Sequence, residues 1–305
     1  MTLPFPFQVP DNKQIRVIVN TDAKNEADDQ FAIVHALLTP RFRIPGIIAA
    51  HFGTGRSATS MDDSYREIGH VLELMQLPEA PPVVRGAAQA LVDEGTPQPS
   101  EGADLIIREA MKEDEAPLYV IFLGPITDLA AAYLLEPRIA DRLTAVWIGG
   151  GPYPAGASEF NLSNDIAAAN VVMRSSIPLW QVPQNVYKMM RVSLAELAVR
   201  VRPHGAIGQY LFDQLVEFNL LPWHSARWPK GEMWMLGDSP AVSLLLDDHE
   251  FDYDLIDPPY ITPDMGYAPG KGGRQIRVYR SVDARFTLED MYAKLELFAA
   301  VTRHD

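Results

Sequence analysis

Short, almost continuously apolar runs alternate with amphipathic stretches through the first 183 residues of the chain. "IRVIVN" (15–20), "IPGIIAAHF" (44–52), "LYVIFLG" (118–124), "LTAVWIGG" (143–150) and "IPLWQVP" (177–183) read as strands buried on both faces. Between them, residues 28–38, 60–76, 102–113, 126–134 and 164–174 carry helical spacing. This alternation predicts βαβ units, hence an α/β fold with an open, mostly parallel sheet flanked by helices. The last third predicts helices at 193–201, 206–219, 238–247 and 287–301, with one more strand at 275–281. There is no repeat or low-complexity linker, and proline clusters such as "LPEAPP" and "DPPYITP" read as loops. Residues 1–305 are therefore expected to form a single α/β domain.

In an open parallel sheet, ligands bind beyond the carboxyl ends of the strands. Polar clusters fall at those ends: Asn20 and Asp22, then His51 with "GTGRS", "LGPITD", and "IGGGP". The fold gathers them on one rim.

Charge narrows the choice of partner. With 26 basic against 40 acidic residues, the formal charge is −14. That excludes a nucleic-acid backbone and an anionic membrane as partners. No apolar stretch approaches the roughly 20 residues of a membrane span. No basic segment followed by an apolar run marks the N-terminus, so a soluble, cytoplasmic protein is expected. The absence of cysteine removes disulfides, thiolate metal sites and a cysteine nucleophile.

The acidic excess is concentrated at one turn. In "VIVNTDAKNEADDQFAIVHALL" (17–38), Asp22, Asp28 and Asp29 crowd the passage from strand to helix, with Glu26 between them. A helix N-cap and the helix dipole account for Asp28 or Asp29 alone. They do not account for Asp22, a third anion that adds repulsion unless a cation sits among the three. An oxygen-only cluster suits a hard divalent ion, and the spacing is not that of an EF-hand loop.

These aspartates resemble the Asp-x-Asp-Pro-Gly-x-Asp-Asp signature of the inosine–uridine-preferring nucleoside hydrolases. Further stretches match that family in order: "VVRGA" (83–87), "FLGPITDLAAAYLLEPRIADRLTAVWIGGG" (122–151), "EFNLSNDIAAANVV" (159–172) and "GDSPAVSLLL" (237–246). The resemblance implies a hydrolase that cleaves the N-glycosidic bond of a ribonucleoside or related N-riboside. It implies Ca²⁺ held by Asp22, Asp29, Asp238 and the main-chain oxygen of Leu123, with Asp28 as the base that activates water. It further implies that Glu159 and Asn161 bind the sugar and that the protein is a homodimer or homotetramer. Asn20 stands where an aspartate is usual, as a hydrogen-bonding group without charge.

The chain departs from the pattern in two places. "AKNEA" lengthens the loop between Asp22 and Asp28 and removes its glycine, so Asn25 or Glu26 is expected to take over sugar contacts. Lys24 either points to solvent or, with Arg56, meets an anionic group on the substrate. Gly237 replaces the histidine that often protonates the departing base. His51, His224 and Tyr187 are then the candidates for that role, and Trp223 or Trp234 for stacking on the base. Two other readings compete: a Ca²⁺-dependent ribose- or nucleoside-binding protein without turnover, and a Mg²⁺-dependent phosphoryl-transfer enzyme. The second lacks a phosphate loop.

Overall fold

The near-continuous apolar runs become strands because both of their faces are covered. A computed structural model describes residues 5–221, 231–270 and 274–302. The first strands are β1 (Ile15–Thr21), β2 (Phe42–Arg43), β3 (Ile47–Ala49), β4 (Val83–Arg85), β5 (Leu118–Phe122), β6 (Leu143–Ile148) and β7 (Leu179–Val182). Six short ones follow: β8 (Arg191–Ser193), β9 (Met233–Met235), β10 (Tyr253–Ile256), β11 (Tyr260–Ile261), β12 (Tyr267–Ala268) and β13 (Ile276–Tyr279). The main sheet runs β10-β13-β7-β6-β5-β1-β3-β4, with β2 beside β1. Its pairs are parallel except β10–β13. The remaining strands form two antiparallel ribbons, β8–β9 and β11–β12.

Alternation along β1 builds two cores from one strand. Val17 and Val19 pack on one face with Phe31, Val34 and Val182, whereas Ile18 packs on the other with Ile48, Val120 and Phe122. Each such side chain contributes about 1.5–3 kcal/mol by burial. The helix Asp29–Leu37 is buried along its whole length, as a helix inserted into a core must be. Among the described residues, no helix is long and apolar enough to cross a membrane.

Three expectations shift. The strand expected over 44–52 contracts to β3, since Pro45 lacks an N–H for the ladder. The helix expected over 238–247 contracts to Pro240–Ser243, because i→i−3 bonds such as Leu245 N–H to Val242 O tighten the chain beyond it. The C-terminal third is helical in Leu194–Arg200, Gly205–Asn219 and Ala284–Thr302 and holds the expected strand as β13, but it also holds strands of two to four residues that the pattern did not predict.

Candidate active site

β6, β5, β1 and β3 are parallel neighbours, so the residues that follow them meet on one rim. Asp22 follows β1, and its main-chain oxygen accepts from the N–H of Asn25, which turns the loop. Ala23 and Ala27 are fully buried and anchor that loop from beneath. Leu123 follows β5, and Gly124 must be glycine because a Cβ there would lie 2.7 Å from Asp22 Cγ. Asp28 and Asp29 open the helix Asp29–Leu37, and Asp238 arrives from the turn after β9.

A small cavity forms where these segments meet. Its lining includes Asp22, Asn25, Glu26, Asp28, Asp29, Leu123, Glu159, Asn161, Tyr187, Gly237 and Asp238. One carboxylate oxygen each from Asp28, Asp29 and Asp238 lies within 4.8 Å of the others. Asp28 occupies the N-cap position without capping through its side chain; Oδ2 instead accepts from the N–H of Gly237 at 2.9 Å. Asp29 accepts from the Thr21 hydroxyl. The N-cap before Pro240 is Ser239, so Asp238 is not spent on capping.

Burial and mutual repulsion govern the protonation of this group. Loss of solvent, then Asp29, Asp28 and Glu26, push the Asp22 carboxyl well above its ordinary range. Burial followed by Asp29 and Glu26 does the same to Asp28, and burial followed by Asp28, Asp29 and Asp22 to Asp238. Burial raises Asp29 to about 7. Asp22 Oδ2 is buried with no hydrogen-bond donor at all. An orphaned carboxylate oxygen in a cavity that Asp28, Asp29 and Asp238 also line fits a hard cation.

The opposite wall is built on Glu159 and Asn161. Glu159 caps the helix Phe160–Asn164 by accepting from the N–H groups of Asn161 and Leu162. It also accepts from Gly150 N–H at 2.9 Å and from the Tyr187 hydroxyl at 2.9 Å. Gly150 sits at φ +85°, a conformation that favours glycine and aims its N–H at this carboxylate. Asn161 Nδ2 donates to the carbonyls of Leu123 (2.7 Å) and Ile148 (2.8 Å), so it reads the ends of β5 and β6 together. Arg56 closes the rim. Its Nη1 donates to Asn25 O (2.7 Å) and Oδ1 (2.5 Å), Nη2 lies 3.5 Å from Glu26, and its guanidinium sits 4.8 Å from the centre of the Phe160 ring.

Of the residues singled out from sequence, Asp22, Asn25, Asp28, Asp29, Leu123, Glu159, Asn161 and Asp238 converge on the cavity. Three do not. Asn20 is sealed in the sheet, where Nδ2 donates to Asp128 at 2.9 Å. His51 is buried with both ring nitrogens engaged: Nε2 lies 2.9 Å from Thr127 Oγ1, and Nδ1 accepts from Gly53 N–H. Because the Thr127 hydroxyl donates to Asp165, His51 must donate through Nε2, and burial holds its pKa down to about 4. A neutral ring fixed in this way has no proton to give a leaving group. Trp234 points into the core, edge-on to Phe218 at 5.5 Å, and is not part of the cavity lining. Trp223 and His224 lie outside the described residues. Lys24 is paired with Glu67 at 2.7 Å, and Arg56 is committed to the 25–26 loop, so neither is a free cation for an anionic substrate.

Sequence reasoning missed Phe160 and Ile148, both in the lining. Phe160 carried a signal, because it lies between two residues already assigned to the sugar. Ile148 carried none beyond its place at a strand end.

A carboxylate cluster able to hold a cation, set beyond the strand ends of a parallel sheet, marks a candidate metal and ligand site of an α/β fold. The profile of the inosine-uridine preferring nucleoside hydrolase family matches residues 17–300, and the chain belongs to that family of N-ribosyl hydrolases. The pyrimidine-specific ribonucleoside hydrolase RihA of Salmonella schwarzengrund is 24% identical over 249 residues, covering 73% of this chain and 75% of that one. The purine-preferring ribonucleoside hydrolase of Gardnerella vaginalis superposes with a TM-score of 0.74 at 20% identity, covering 94% of this chain and 99% of that one. The plant nucleoside hydrolase PpNRh1 does so with a TM-score of 0.74 at 17% identity, covering 92% and 99%.

Proposed function

We propose that this protein hydrolyses the N-glycosidic bond of a ribonucleoside or related N-riboside in a Ca²⁺-dependent reaction, with water activated by Asp28. Asp22, Asp29, Asp238 and the carbonyl of Leu123 would hold the ion. When bound, it supplies the positive charge that offsets the carboxylates and orients the sugar hydroxyls. Asp28 would take the proton from the attacking water as the new C–O bond forms and the C–N bond breaks, its electron pair leaving on the base nitrogen, which is then protonated from solvent. Its carboxylate is fixed by Gly237 N–H, and burial and the neighbouring carboxyls raise its basicity, the direction a general base needs. The surrounding carboxylates stabilise the positive charge that develops on the sugar. The observation that carries this reading is one cavity lined both by the donorless Asp22 Oδ2 and by the converging carboxylates of Asp28, Asp29 and Asp238.

Release of free base from a panel of ribonucleosides, measured with calcium and again in excess chelator, tests it. Turnover on at least one nucleoside that chelation abolishes and calcium restores is the expected result. Undiminished release in chelator overturns the metal dependence. A second reading, sugar binding without cleavage, is favoured by one feature. Among the described residues of the cavity, the Tyr187 hydroxyl is spent on Glu159 and His51 is turned away, which leaves no evident proton donor for the base. Ribose binding with no base release across the panel would select it.

A further inference from the structure

Glu159 has about four acceptor positions on its two oxygens, and all four are taken within the chain. Oε1 accepts from Asn161 N–H at 3.1 Å and from the Tyr187 hydroxyl at 2.9 Å; Oε2 accepts from Gly150 N–H and Leu162 N–H, both at 2.9 Å. Three of these donors are backbone groups locked by a helix start and a strand end. Only the fourth, on Tyr187, sits on a side chain that can turn. The cavity beside it encloses about 70 Å³, well below the roughly 300 Å³ at which pockets for drug-sized ligands begin. The Tyr187 ring also fills the space next to Gly237, where a Cβ would lie 3.1 Å from Tyr187 Cδ2.

We infer that Tyr187 is a specificity-determining residue whose hydroxyl holds the place of a sugar hydroxyl on Glu159, so that a furanose binds only by displacing it. The inference rests on the sugar-binding part of the proposed function and assigns the group that competes for that site. A ligand without a hydroxyl to offer Glu159 cannot replace the lost hydrogen bond, and it leaves a buried carboxylate oxygen short of a donor. Tyr187 thereby admits hydroxylated furanoses and rejects deoxygenated ones at that position. The glycine at 237 leaves the ring room to lie against the wall.

Calorimetric titration of D-ribose into the calcium-loaded wild-type protein and Tyr187→Phe tests this without any turnover. The phenylalanine keeps the ring and removes the competitor, so ribose should bind roughly two- to tenfold more tightly, as expected when one intramolecular hydrogen bond no longer has to be broken. The ligand-free variant should also melt lower than wild type, and ribose should raise its midpoint more than it raises that of wild type. Equal or weaker binding to Tyr187→Phe overturns the inference, because it makes the hydroxyl neutral or a direct sugar contact. Saturable binding to neither protein overturns it as well. Tyr187→Leu, which removes ring and hydroxyl together, must bind ribose at least as tightly as wild type. A failure of hydrolysis would show in base release instead, and ribose affinity would not register it.

Discussion

Two groups of carboxylates are buried at the carboxyl ends of the same sheet, yet the chain provides for them differently. Asp128 accepts from Asn20 Nδ2 (2.9 Å), Ala87 N–H (2.8 Å) and the Ser100 hydroxyl (2.6 Å). Asp165 accepts from Leu91 N–H (2.9 Å), the Thr127 hydroxyl (2.8 Å) and Ala168 N–H (2.8 Å). On the other side of β1, Asp22 Oδ2 has no donor, and Asp28 takes one side-chain hydrogen bond, from Gly237. Burial raises the pKa of all four. A raised pKa therefore does not tell a ligand site from a structural strut. Donor supply does: Asp128 and Asp165 tie loops to the sheet, whereas Asp22 Oδ2 has no donor among the described residues, as the proposed cation site requires.

Isolated substitutions should separate the two groups sharply. Asp28→Asn should cut base release by about 10²–10⁴, the range of general-base catalysis, while the melting temperature holds or rises. Asp128→Ala should do the reverse. Three donors lose their acceptor, at a cost of roughly 3 kcal/mol, or several degrees of melting temperature, while activity per folded molecule persists. Paired melting and rate measurements check both. A large rate loss at Asp128 with no loss of stability would erase the distinction drawn here.

Asp22→Asn is the finer instrument. In chelator it removes one anion from a repelling cluster, so the ligand-free protein should become more stable by about 1 kcal/mol. With calcium the same change should weaken the ion's stabilising effect. The sign of the melting shift should therefore reverse between the two buffers. A loss of stability in both would mean that Asp22 is a strut like Asp128.

This contrast was only half legible from sequence. The strand-to-helix crowding of Asp22, Asp28 and Asp29 is local and visible, because one turn must hold all three. Asp238 lies some two hundred residues away, and only a shared motif joined it to them. Asn20 and His51 were placed correctly at strand ends but face the wrong way, since position at a strand end does not say which neighbour a side chain finds. Trp234 was not legible: Met233, Trp234 and Met235 are all apolar, so the alternation that turns the indole inward shows only in their burial. The supply of donors to Asp128 and Asp165 comes from four separate segments of chain, and no local pattern announces it.

The pH dependence of stability offers the closest test, because the two regions pull in opposite directions. His51 in the satisfied network, and His35 in the last turn of the helix Asp29–Leu37, are both held by burial at about 4, below the ordinary 6.5. Between those values the unfolded chain binds protons that the folded one refuses. Stability from each histidine is therefore lost as pH falls from 6.5 toward 4, by up to ~1.4 kcal/mol per pH unit. The metal-free aspartates behave oppositely. Asp29 is raised from 3.8 to about 7, so the folded state holds the extra proton, and stability is lost as pH rises from 3.8 through 7. In chelator the raised aspartates oppose the histidines, so acidification from about pH 6.5 to 5 should lower the melting temperature less than it does in calcium. Saturating calcium displaces the aspartate protons and removes that slope, which leaves the histidines to lower the melting temperature as the buffer is acidified. His51→Gln should then flatten the calcium curve in part. If the curves in calcium and in chelator have the same slope, the carboxylates around Asp22 are not the groups that the ion neutralises.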